Sequence, residues 1–146
     1  MKQLLPFKVG YETYALELTE VQEVVENKLV YDFPGSPVEI AGAIGFHGRI
    51  VPVLDLSRIL EFPTGKVGPR LIVLVNERGP VALGVDQVQA IITVEISAST
   101  RMQNYADRDY IREIINWNGE MISLFDLNQL QIKVESLCTP AGGAHG

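Results

Sequence analysis

The chain is short of the residues that bind metals and cross-link folds. It has one cysteine, Cys138, and two histidines, one of which, His145, stands beside the C-terminal glycine. A lone cysteine closes no internal disulfide, and two histidines without cysteine pairs leave no spaced ligand set for structural zinc. The acidic residues are scattered and form no calcium-loop pattern. Basic residues are fewer still, 12 Lys and Arg against 18 Asp and Glu, for a net charge of −6. Without a basic block, binding to a phosphate backbone loses its main electrostatic contribution, so nucleic acid is not an expected partner. Long apolar runs are missing too. The opening "MKQLLPFKVGYETY" has no signal-peptide core, and no later stretch could span a bilayer. A cytoplasmic protein is expected, associated with a membrane only through a partner. There is no glycine-rich phosphate loop, no Gly-x-Ser-x-Gly elbow, and no histidine placed to activate Cys138. No cofactor is implied.

What the chain does have is strand. Apolar residues make up 47% of its 146 positions, enough for one filled domain or two small units sharing a core. Most apolar segments are short, β-branched and bounded by Gly, Pro, Asn or Asp, as in "RIVPVL", "LIVLVNERGPVALGV" and "AIITVEI". The second of these contains a hairpin turn at Asn76–Gly79 between Leu71–Val75 and Val81–Val85. Helical character is confined to short turns after the Asp-Leu pairs, at Ser57–Leu60 and Asn128–Gln131, and near Asp107–Ile111. The class is all-β with short helical turns. The last stretch, "TPAGGAHG" (139–146), is expected to be a flexible tail.

An internal repeat orders the strands. "YALELTEVQEVV" (Tyr14–Val25) lies over "VALGVDQVQAII" (Val81–Ile92), and "IGFHGRIVPVLDL" (Ile44–Leu56) over "IINWNGEMISLFDL" (Ile114–Leu127). Gly48 then matches Gly119, Phe46 matches Trp117, and Asp55 matches Asp126. Two matched segments in the same order imply two small β units of one design, neither large enough to bury a good core alone. Each aspartate can cap the helical turn that follows it, and Gly48 and Gly119 supply tight turns. A residue that both copies require reads as structural. His47, in the turn between Phe46 and Gly48, is the residue open to more than one reading. As a general base oriented by Glu23, Asp55 or Asp86 it would make a small hydrolase; otherwise it is a docking residue or a solvent-facing turn.

The matched segments, with "FPGSPVEIAGAIGFHGRIVPVLDLSRIL" between them, resemble the CheW-like domain. That domain occurs in bacterial chemotaxis adaptors and in the regulatory domain of CheA histidine kinases. The residues carrying the resemblance are Val21-Gln22-Glu23, the spacing of Pro37 and Gly42, Gly48–Leu56, and Gly84-Val85-Asp86-x-Val88. The resemblance covers about Phe7 to Val134. It implies two five-stranded SH3-like barrels around a shared hydrophobic core, one domain over 1–138. The first barrel would span roughly 12–66 and the second roughly 67–134, with a possible contribution from the N-terminal strand. It also implies a non-catalytic adaptor of two-component signalling, holding a CheA-type kinase regulatory domain against the helical tip of a methyl-accepting chemotaxis receptor.

Carried over by position, the receptor groove comprises Leu18, Val21, Glu23, His47, Leu71, Val88 and Ile91. Apolar residues would supply area there, and a charge would set register. The kinase-facing surface is not assigned; Arg49, Arg58 and Arg70 are merely exposed-looking. Where the family usually has Asn-Leu-Arg-Gly, this chain has Gly45-Phe46-His47-Gly48. Histidine offers fewer donors than arginine and titrates near neutrality, so a weaker or pH-dependent Glu23–His47 contact is expected, or a divergent receptor. The latter would suit a coupling protein of a type IV pilus or surface-motility pathway.

Overall fold

The computed structural model describes residues 1–26, 28–32, 34–62, 69–74, 79–95, 99–101 and 110–138. Twelve strands and two helices follow in the order β1 (Lys2–Val9), β2 (Glu12–Glu17), β3 (Val21–Glu26), β4 (Ile40–Phe46), β5 (Arg49–Asp55), α1 (Leu56–Ile59), β6 (Arg70–Leu74), β7 (Val81–Val85), β8 (Gln87–Val88), β9 (Ile92–Val94), β10 (Ser99–Arg101), β11 (Ile111–Trp117), β12 (Glu120–Phe125) and α2 (Leu127–Cys138). They form a seven-stranded sheet, β10-β11-β12-β2-β1-β8 with β9 also on β1, and a five-stranded sheet, β3-β6-β7-β5-β4. The tip expected at Asn76–Gly79, the helical turn near Asp107–Ile111 and the tail fall wholly or partly outside the described residues; Ile111 itself opens β11.

The sheets do not follow a division of the chain near residue 66. Hairpin β1–β2 precedes the first repeat's remaining strands yet joins those of the second, where β2 runs parallel to β12. Hairpin β6–β7 does the converse, with β7 parallel to β5. The two exchanges share one register. Ala15 faces Leu124 as Ala82 faces Val53, and Phe7 faces Val88 as Leu74 faces Val21. The reason is the connection length. Only Leu18–Glu20, a 3-10 turn, separates β2 from β3, and only Asp86 separates β7 from β8. Each link is sufficient for a bend and carries the chain straight on into the other sheet. The repeats are therefore interlocked, and the two sheets, seven- and five-stranded, are consistent with the expected all-β, SH3-like fold without being closed five-stranded barrels.

Alternation along these strands fills three apolar regions. One lies between the sheets and draws on both, with Phe7, Tyr14, Leu16 and Phe125 meeting Leu54, Ile72, Leu74, Leu83 and the α1 residues Leu56 and Ile59. Phe7, Tyr14 and Phe125 stack with ring centroids 5.2–6.0 Å apart. The other two lie within the sheets: Leu4, Ala15, Ile115, Ile122 and Leu124 in one, and Leu71, Ala82, Ile44, Val51 and Val53 in the other. These are repeat-equivalent residue for residue. Covered on both faces, β6 and β7 read as continuous apolar runs.

Helix α2 is longer than the turn expected at Asn128–Gln131, reaching Cys138. Leu127, Leu130 and the half-buried Val134 lie on one face and pack on the shared core. The spacing is helical, but polar residues at 128, 129, 131, 133 and 135 dilute the signal.

Candidate functional site

Two repeat-equivalent features frame the surface. The first is the β4–β5 turn, where His47 and Gly48 take φ of 48° and 75°, and the β11–β12 turn, where Asn118 and Gly119 take 51° and 82°. Positive φ at both central residues is the two-residue hairpin geometry that matches strand twist, and Asn-Gly is its preferred sequence. His47 thus occupies a position that glycine or asparagine would fill with less strain. The second is the aspartate after each turn. Asp55 Oδ1 accepts from the Ser57 amide at 3.1 Å and from its hydroxyl, opening α1, while Asp126 Oδ1 accepts from the Gln129 amide at 3.1 Å at the start of α2.

The residues expected to line a groove do not share one environment. Val21 and Val88 are half-buried at equivalent registers and pack against the shared core. Leu18 is half-buried in the 3-10 turn, and Ile91 is 50% exposed. Leu71 is the most buried of the residues expected there. It is 3% exposed inside the five-stranded sheet, because both faces of β6 are covered.

Glu23 pairs in register with Val73, and directly opposed residues in an antiparallel ladder share a face. Val73 belongs to the inner core of the five-stranded sheet, so the exposed Glu23 carboxylate stands at that core's mouth. A register shift between Val21 and Glu23 re-aims the strand there. Across the mouth, His47 Nε2 lies 3.6 Å from Glu23 Oε1. The imidazole also meets the Phe46 ring edge-on, with centroids 4.3 Å apart. The strands involved are the two ends of the sheet, and beyond β3 the chain reaches β4 again through the pair Tyr31–Ala43. That approach needs Gly42, whose φ is 151° and whose missing Cβ would lie 2.3 Å from the Tyr31 carbonyl oxygen.

Of the carboxylates that could orient His47 for catalysis, only Glu23 is near it. Asp55 caps α1, and Asp86 accepts from the Gly10 amide at 2.7 Å. Among the described residues, no three His, Cys, Asp or Glu side chains converge on a metal position, and no helix is long and apolar enough to cross a membrane.

Sequence reading missed one polar centre. Glu17, at the end of β2, receives Arg112 Nη2 at 2.6 Å and Lys2 Nζ at 3.0 Å. Arg112 occupies the irregularity between Ile111 and Glu113, which re-aims it across β12. Burial pushes the Glu17 carboxyl up, but hydrogen bonds and charge from Arg112 and Lys2 outweigh it and hold the group below its ordinary range. Glu20, half-buried in the 3-10 turn, moves the other way: burial first, then the charge of Glu17, raises it. The available signal was the repeat itself, since Glu17 and Arg112 stand where the other copy has Gly84 and Ala41.

Comparison with known proteins agrees with this architecture. The chain is 26% identical to a probable chemotaxis protein CheW of Rhizobium etli over 92% of this chain and 90% of that one. It is 24% identical to chemotaxis protein CheW of Bacillus subtilis over the same shares. Over 54% of the chain and 49% of its relative it is 34% identical to protein FrzA of Myxococcus xanthus. The crystal structure of the scaffolding protein TtCheW from Thermoanaerobacter tengcongensis superposes with a TM-score of 0.81 at 24% identity, covering 86% of this chain and 88% of that one. The sequence model of the CheW-like domain matches residues 3–134, and the chain belongs to that family.

Proposed function

We propose that the chain is a non-catalytic adaptor of chemotaxis signalling that couples a CheA-type histidine kinase to the cytoplasmic tip of a chemoreceptor. The observation that carries this reading is the family match over residues 3–134, and the relatives named as chemotaxis proteins support it. The receptor's helical hairpin would lie along Leu18, Val21, Val88 and Ile91, with Glu23 and His47 at the rim. Half-buried apolar residues bordered by a charge suit a helix laid into a groove. The kinase regulatory domain would take another face.

The test is capture by the full chain of a purified kinase regulatory domain and of a receptor cytoplasmic fragment. Both should be retained. Glu23→Ala should weaken receptor capture about 5- to 30-fold, the range of a single interface residue worth 1–2 kcal/mol, and leave kinase capture unchanged. Equal capture of the receptor by wild type and variant would remove Glu23 from the site. Turnover of an ester or amide substrate that disappears in His47→Ala would replace the adaptor reading with a hydrolase.

A second reading keeps the adaptor and changes the pathway to type IV pilus or surface motility. The Gly45-Phe46-His47-Gly48 turn favours it, because an altered rim suits a divergent receptor.

A further inference from the structure

The two links that carry the chain from one sheet into the other are repeat-equivalent but held in different ways. In the second copy the link at Asp86 is locked by backbone and burial. The Asp86 amide donates to the Lys8 carbonyl at 2.9 Å, its carboxylate accepts from the Gly10 amide at 2.7 Å, and Val85 beside it is fully buried. In the first copy the link is the 3-10 turn Leu18–Glu20, closed by the Val21 amide on the Leu18 carbonyl, and none of its three residues is buried. Leu18 stands where the other copy buries Val85, so the scaffold does not require its half-buried placing. The turn is fixed by the residue before it. Glu17 is its N-cap, yet the side chain makes no capping bond. Instead the carboxylate is gripped from both sides, by Lys2 of β1 at 3.0 Å and by Arg112 of β11 at 2.6 Å. Burial opposes ionisation there, and the two cations outweigh it.

We propose that Arg112 is a positioning residue for the docking groove: acting through Glu17, with Lys2, it fixes the turn that presents Leu18 beside Val21. The other copy has Gly84 and Ala41 where this one has Glu17 and Arg112, and its link is held without a clasp. A charged tie is needed only where the link lacks a buried anchor. Arg112 therefore governs a surface it does not line, from a strand of the other sheet. The groove rests on the adaptor reading, whereas the fixing of the turn is a property of the free chain. The clasp can lend the turn no more than its own strength, about two- to five-fold for a partly exposed ion pair.

Two measurements on the full chain test this. In the free protein, Arg112→Ala should speed hydrogen exchange at the Val21 amide about two- to five-fold and leave the Asp86 amide unchanged. Capture of a purified receptor cytoplasmic fragment should weaken by the same factor in Arg112→Ala, and Arg112→Lys, which keeps the cation, should recover part of it. In a Leu18→Ala background the loss should vanish, because Arg112 acts through that side chain. Unchanged exchange at Val21 overturns the proposal whether or not a receptor is captured. So does a loss of capture that is equal with and without Leu18, since Arg112 would then touch the receptor itself. Failure of the unsubstituted chain to retain the fragment, with exchange shifted as expected, would sink the adaptor reading and bear out the hold of Arg112 on the turn.

Discussion

The two sheets share their apolar positions and differ in their polar ties. In the seven-stranded sheet Glu17 and Arg112 clasp β2 to β11 across β12, where the five-stranded sheet has Gly84 and Ala41. At the mouths the assignment reverses: Glu23 faces His47 in the five-stranded sheet, and the seven-stranded sheet has Ala90 and Asn118. A third difference lies at the close approach. Gly42 admits the Tyr31 carbonyl, whereas its equivalent, Glu113, pairs with Arg101 in an ordinary ladder. The core has to be duplicated because each half fills the other's sheet. The ties do not, and each copy is free to carry its own.

The strongest way to break this comparison is to attack what the sheets hold in common. Phe125 is fully buried in the aromatic stack of the shared core. Phe125→Ala should cost about 3–5 kcal/mol, and urea unfolding followed by Trp117 fluorescence and by far-ultraviolet dichroism should stay coincident. Two separated transitions would mean that the sheets are independent bodies.

A smaller effect separates the copies. Gly42→Ala forces a Cβ against the Tyr31 carbonyl at a positive φ and should cost about 1–3 kcal/mol. Glu113→Ala, its counterpart, should change stability by less than about 1 kcal/mol. Equal losses in chemical denaturation would deny the asymmetry.

The smallest effects are electrostatic and turn with pH. Glu17 is held below its ordinary 4.5, so the clasp stabilises fully above that value and is lost as the pH falls below it. Arg112→Ala should therefore destabilise by under about 1 kcal/mol at neutral pH and by less in acid. Glu20 is held above 4.5, so its favourable, protonated contribution is complete below that value and is lost as the pH rises. Glu20→Gln should accordingly raise the melting temperature at neutral pH, with the gain shrinking toward pH 4. A variant less stable than the parent at neutral pH would reverse that sign.

Much of this was legible in the sequence. Gly48, Gly119, Asp55 and Asp126 announce turns and helix starts by residue type alone, and the repeat pairs the inner cores before any contact is seen. Three things were not legible, each for a physical reason. Alternation tells which face of a strand is apolar but not which sheet receives it, so the exchanged hairpins were hidden. The burial of Leu71 depends on cover from both sides, which a pattern of four buried residues on β6 shows only once its neighbours are placed. The Glu17–Arg112 clasp joins residues 95 apart through a strand irregularity, and no local spacing encodes that.

The crossing of the two hairpins has a consequence for descent. A deletion that removes one copy strips the surviving sheet of its inner strands, so neither half can be lost, traded or inherited by itself. Variation is free to work on a rim, a clasp or a turn of one copy, but the lineage must keep or abandon the knot of two as a whole.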